Sequence, residues 1–185
     1  MTVNQVHFEN NFDYIKLLCD MGYLKAVGVS VISITEEFIS KVKTINNAVL
    51  HTIVGITTPK TFEILKDKDL KVLILGYKDF RRGYDYIQSK EVCRQISENQ
   101  YWLTKNLKDL IPHFKIISFD NLALDQLEVE NIMTKEKWDE FYMGDDGKHT
   151  MYVDLVEGMY AKSSVSTKRY PLKDDIYDIF ADILA

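Results

Sequence analysis

Residues 48–78 read A-V-L-H-T-I-V-G-I-T-T-P-K-T-F-E-I-L-K-D-K-D-L-K-V-L-I-L-G-Y-K, two runs rich in Val, Ile and Leu around a short charged segment. Near-continuous apolar runs of this length, here 49–56 and 72–76, predict strands covered on both faces, as in a parallel sheet with helices outside it. The segment between them, 59–67, opens with Pro59 behind a capping Thr57 or Thr58 and supplies Phe62, Ile64 and Leu65 for packing. The unit is a βαβ crossover. In a barrel or an open α/β sheet, ligand chemistry collects where strands end, which here means residues 55–58 and 76–82.

The same alternation extends outward. Residues 2–8, T-V-N-Q-V-H-F, alternate roughly between apolar and polar and predict a strand, and Asn10 or Asn11 is placed to cap a helix running to about Met21. Residues 26–34, A-V-G-V-S-V-I-S-I, predict the next strand, and Thr35 ahead of Glu36 and Glu37 starts a helix with Phe38, Ile39, Val42 and Ile45 on one side. After Lys78 comes a polar, aromatic loop, then a long helix over 90–110 that Pro112 ends. Residues 115–124 begin as a strand and turn at Asp120-Asn121, and 134–141 predict a short helix capped by Thr134. Residues 143–164 read as a β-hairpin with Glu157-Gly158 at its tip, and 174–185 as an amphipathic helix with Ile176, Ile179, Phe180 and Ile183 facing inward. The fold class expected is α/β, a partial (β/α) barrel of parallel strands over 1–125, with a C-terminal α+β extension over 126–185, a hairpin and a helix, packed on it.

Composition sets limits on partners. A formal charge of −5 over 185 residues argues against a surface committed to nucleic acid or anionic lipid. The N-terminal residues lack the regions of a signal peptide and no run spans a bilayer, so the expected location is cytoplasmic. The chain has two cysteines, Cys19 and Cys93, far apart and in different predicted helices, and so carries no zinc or iron–sulfur motif. An eight-unit barrel typically takes about 250 residues, so this length suits only part of one.

Four segments, T-V-N-Q-V-H-F, L-K-A-V-G-V-S-V, H-T-I-V-G-I-T-T and L-K-V-L-I-L-G-Y-K-D-F-R-R-G, resemble the third to sixth strands of the radical S-adenosylmethionine (SAM) enzyme barrel. The tail from Phe141 to Leu172 resembles the C-terminal segment of such proteins from phages and mobile elements. The family's C-x-x-x-C-x-x-C segment is absent. Its fifth-strand pattern, G-x-I-x-G-x-x-E, falls on residues 51–58, matched at Ile53 and Gly55 and not at His51 or Thr58. The resemblance implies the C-terminal half of a radical SAM enzyme, inactive alone, with S-adenosylmethionine as cofactor and a [4Fe–4S] cluster only in a complete protein. The expected partner is then an N-terminal half, or a second copy at the open sheet edge. The resemblance also implies that Ile53, Val54 and Gly55 wall the adenine, that Gly76 and Tyr77 approach it, and that Ser30 and Ser33 face the ribose or methionine part.

Other residues carry two readings each. Asn4, Gln5 and His7 are polar on a strand expected to be buried, which points to a substrate cavity or to an internal hydrogen-bond network. Lys78, Arg81 and Arg82 form a basic cluster at a strand end, fit to bind a substrate carboxylate or phosphate, or simply a solvated loop. Ser30 and Ser33 either touch ligand or bond neighbouring backbone, and His51 reads as a satisfied core histidine ahead of a catalytic base or metal ligand, since no second ligand lies at a useful spacing. A non-catalytic α/β interaction module, associating through its open edge, is the alternative function.

Overall fold

In the computed structural model, which describes residues 1–79 and 82–184, the two central apolar runs form β3 (Ala48–Ile53) and β4 (Lys71–Leu75), joined by α4 (Pro59–Leu65). Thr58 is the cap of α4, its Oγ1 accepting from the Thr61 N–H at 3.3 Å. The Thr57 hydroxyl instead accepts from the Ile53 N–H at 3.0 Å and closes the turn behind β3. Around this pair lie β1 (Thr2–Asn4), α1 (Gln5–Asn10), α2 (Phe12–Asp20), β2 (Val27–Ser30) and α3 (Glu36–Lys43). Downstream come α5 (Arg82–Tyr86), α6 (Lys90–Leu110), β5 (Ile116–Phe119) and α7 (Asn121–Gln126). The chain divides into two units, Met1–Ile132 and Met133–Ala185.

The first unit is a five-stranded parallel sheet in the order β1-β2-β3-β4-β5. Every step moves one place in the same direction, and right-handed crossovers then put the helices on one face. Burial along the strands agrees. Val29, Leu50 and Val72 stand in register and are fully buried, as are Phe8, Phe38, Phe62, Leu103 and Leu107 from the helices. Phe8 meets Phe38 edge-on at 5.9 Å, one of several large side chains whose truncation typically costs about 3–5 kcal/mol. The opposite face, with Val49, His51, Ile53, Leu73 and Leu75, is only half-buried.

Several boundaries differ from the sequence expectation. The strand expected over 2–8 stops at Asn4, whose Oδ1 accepts the His7 N–H at 2.8 Å and starts α1. Gln5 and Phe8, three residues apart, are then both buried, which is helical and not strand spacing. Asn11 precedes α2 without a side-chain cap bond, its amide donating instead to the His7 carbonyl at 2.9 Å. The run 26–34 is strand only to Ser30, because the Gln5 Oε1 takes the N–H groups of Ile32 and Ser33, at 2.8 and 2.9 Å. The turn at Asp120-Asn121 is present, with Asp120 capping α7.

In the second unit, α8 (Lys135–Phe141) is followed by a separate antiparallel sheet of β6 (Tyr152–Asp154), β7 (Met159–Ala161) and β8 (Tyr170–Pro171), then by α9 (Ile176–Leu184). Thr134 caps α8 as expected, and the hairpin tip falls at Glu157-Gly158. There the Asp154 Oδ1 takes the N–H groups of Val156 and Glu157, both at 3.1 Å. The two-residue β8 was not foreseen. Tyr160, Ile179 and Ile183 form this unit's core, whereas Ile176, expected inward, is exposed at the first turn of α9. The Tyr160 hydroxyl donates to the Asp182 carboxylate, and the Lys173 Nζ lies 2.6 Å from the same group. These bonds, Lys173 first, hold the Asp182 carboxyl below its usual range.

Gly55 closes β3 at φ +76°, and a Cβ there would lie 2.6 Å from Ile96 Cγ2 and 3.0 Å from the Ile96 carbonyl. Gly55→Ala is therefore expected to lower the unfolding free energy by about 1–3 kcal/mol, read as a lower urea midpoint at unchanged m.

Candidate functional site

Because the sheet is parallel, β3, β4 and β5 end at one edge, and a cavity of about 350 Å³ opens there. It is lined by Ile53, Ile56, Leu75, Gly76, Tyr77, Lys78 and Asp120. The volume lies in the range of small-molecule sites. Its walls are mainly apolar, with an aromatic ring, an ammonium and a carboxylate contributed at the strand ends.

Hydrogen bonds to the backbone fix the floor of this cavity. The Gly76 N–H donates to Asp120 Oδ1 at 2.8 Å, and the same oxygen accepts the Ala123 N–H at 2.8 Å. One carboxylate oxygen thus caps α7 and ties the end of β4 to the end of β5. Gly76 is required for the fit, because a Cβ there would lie 2.4 Å from Leu122 Cγ and 2.8 Å from its carbonyl carbon. The Gln126 carboxamide holds Tyr77 on both sides, accepting its N–H at 2.8 Å and donating to its carbonyl at 2.8 Å. The Tyr77 hydroxyl donates to the Gly83 carbonyl at 2.6 Å. Burial, followed by the nearby Cys93, Tyr86 and Asp79, raises the Tyr77 phenol above its ordinary value, so it stays protonated.

The structure brings together Ile53, Gly76, Tyr77 and Lys78 of the expected ligand residues. It separates others from this cavity. Val54 is fully buried, and Gly55 faces Ile96 while its carbonyl accepts from Asn99 Nδ2 at 2.9 Å. Gln5 is buried, with its amide spent on the loop after β2, where Nε2 donates to the Ser33 carbonyl at 2.6 Å. Ser33 and His7 are exposed. Asn4 and Ser30 lie in register on β1 and β2, in one row with His51, Leu73 and Ser118 across the half-buried face. Arg81 and the side chain of Arg82 lie outside the described residues. Ile56 falls in the strand-end stretch 55–58 where ligand chemistry was expected, whereas Leu75 and Asp120 were not foreseen as site residues. The signal for Asp120 is an acidic residue directly after a strand, a position that local pattern alone reads as a turn.

His51 lies against the β2 backbone: a Cβ on Gly28 would stand 2.4 Å from its Cε1 and 2.5 Å from its Nε2. Burial pushes its pKa below the ordinary histidine value, which favours the neutral imidazole.

No group of three or more His, Cys, Asp or Glu able to hold a metal occurs among the described residues. Cys19 is half-buried on α2, and Cys93 is exposed on α6 with its thiol donating to the Ile87 carbonyl at 3.1 Å. Two cysteines on separate helices do not fit a three-cysteine cluster site. No helix among the described residues is long and apolar enough to cross a membrane. No family model, curated protein or solved structure matches the chain.

The lowered pKa of His51 gives a signed expectation. Its folded pKa lies below the unfolded value of about 6.5, so the unfolded chain binds more protons in the window just below that pH and stability falls as pH drops. Urea midpoints measured across that window should fall less steeply for His51→Leu than for the unsubstituted chain. Coincident slopes would mean that the imidazole is not desolvated.

Proposed function

We propose that the cavity at the ends of β3, β4 and β5 receives the adenine nucleoside part of S-adenosylmethionine, and that this chain supplies that wall of a partial (β/α) barrel. The observation that carries the reading is the meeting of Ile53, Leu75, Gly76 and Tyr77 around one mainly apolar cavity at the strand ends. The strand order supports the barrel part: neighbours follow sequence order throughout, as in a (β/α) barrel, whereas a doubly wound sheet reverses its order partway.

The residues present fit a nucleoside and do not fit a cluster. When bound to a cluster, S-adenosylmethionine supplies a 5′-deoxyadenosyl radical on one-electron cleavage, and no part of that step is assigned to this chain. Ile53 and Leu75 would exclude water from the flat ring. The Gly76–Tyr77 backbone, fixed by Asp120 and Gln126, keeps the wall in place without reorganisation on binding. Substrate contacts by Lys78 at the rim belong to the same proposal.

The half-buried sheet face and the outer sides of β1 and β5, which pair with no strand among the described residues, favour a second reading, a non-catalytic module that associates with an N-terminal half or a second copy. Ligand binding separates the two. Titration of the ¹⁵N-labelled chain with S-adenosylmethionine or adenosine should shift the amides of Ile53, Gly76, Tyr77 and Lys78, and ribose 5-phosphate should leave them in place. A folded chain whose cavity amides do not respond at millimolar nucleoside would overturn the nucleoside reading. In that case a concentration-dependent mass by light scattering would support the module.

A further inference from the structure

Asp120 is the one acidic side chain among the described residues that line the cavity, and its two carboxylate oxygens are in different situations. Oδ1 is saturated by the Gly76 and Ala123 N–H groups, both at 2.8 Å. Oδ2 takes no hydrogen bond from any described residue, although the group sits half-buried beside Ile53, Leu75 and Tyr77. The carboxylate cannot turn away, because turning would release two backbone N–H groups at the junction of β4 and α7. The result is a pre-oriented acceptor at the edge of an apolar slot.

We infer that Asp120 is the specificity-determining residue of the cavity, accepting through Oδ2 a hydrogen bond from a neutral donor on a flat heteroaromatic ligand. The inference rests on the nucleoside reading above and deepens it, the donor being the exocyclic amine of an aminopurine. A ribose diol is the weaker candidate, since two adjacent hydroxyls call for both carboxylate oxygens and one is already occupied. A ring carbonyl in the same place would set acceptor against acceptor and leave both unpaired, which is where discrimination by buried polar groups is greatest.

The variant that isolates this role is Asp120→Asn. Asparagine caps helices as well as aspartate does, and its Oδ1 must keep accepting from Gly76 and Ala123, so its amide nitrogen takes the Oδ2 position and presents a donor. Calorimetric titrations of the full chain and of the variant would use adenosine, purine riboside, which lacks the amine, and inosine, which carries a carbonyl there. The unsubstituted chain should bind adenosine about tenfold or more tightly than either analogue. Asp120→Asn should lose that preference and gain for inosine, with its melting temperature close to that of the unsubstituted chain. Equal binding of adenosine and purine riboside by the unsubstituted chain would overturn the role of Asp120 and leave the nucleoside cavity standing. So would an Asp120→Asn variant that keeps full preference for adenosine. If the variant does not fold, the comparison of adenosine with purine riboside on the unsubstituted chain decides the question. Absence of binding by all three nucleosides would remove the nucleoside reading and this inference with it.

Discussion

A parallel strand pairs with its sequence neighbour only after the chain has crossed back over the sheet, so each strand here needs a return segment before the next begins. With the order β1-β2-β3-β4-β5, every carboxyl end lies on one edge and every amino end on the other. This constraint selects the functional edge before any side chain is considered. The loops at the carboxyl edge must supply both the turn and any chemistry, whereas those at the amino edge only close the fold. Residues of the second kind are visible in the pairing of His113 with Asp67 at 2.8 Å and of Lys115 with Asp69 at 3.0 Å, both on exposed groups of modest energetic value.

At the functional edge most polar side chains are used to hold backbone. Thr57 takes the Ile53 N–H, Asn99 donates to the Gly55 carbonyl, Asp120 takes two N–H groups and Gln126 satisfies both polar groups of Tyr77. Leaving such groups unpaired and buried costs on the order of 1–3 kcal/mol each, which is why the turns settle in these shapes. Glycines complete the arrangement. Gly55 and Gly76 admit Ile96 and Leu122 against the strand ends, so their missing side chains are matched by protein. What remains open to a ligand is therefore defined by subtraction: apolar flanks from Ile53 and Leu75, the Tyr77 ring, and one unoccupied carboxylate oxygen.

Much of the fold was legible in the sequence because apolar period and capping agreed. Thr35, Thr58 and Thr134 each cap the helix expected of them, and the 21-residue α6 runs from Lys90 to Leu110 as its spacing predicts. The failures are local and share a cause. T-V-N-Q-V-H-F scans as alternating, yet the Asn4 side chain offers the His7 N–H a bond that a strand lacks, and tertiary burial of Gln5 and Phe8 completes the helix. The run 26–34 scans as strand throughout, yet the backbone of Ile32 and Ser33 is held by Gln5, a contact across 27 and 28 residues that no local pattern encodes. Asp120 shows the converse: its turn role was visible, and its second role needed the three strand ends to be placed together.

The half-buried sheet face adds an energetic argument about what the first unit favours. Fully burying a Val, Leu or Ile side chain is worth about 1.5–3 kcal/mol, and Val49, Ile53, Leu73 and Leu75 have collected only part of that. The one titratable group on the central row, His51, is held toward the neutral form by its surroundings. A charged surface laid on this face would lose hydration against an uncharged strip and recover little of it. An apolar covering surface would gain the unused burial and lower the His51 pKa further. Both functional readings therefore want the same kind of neighbour on this face. They part only at the carboxyl edge, where an interaction module would have no use for an acceptor held rigidly beside an apolar slot.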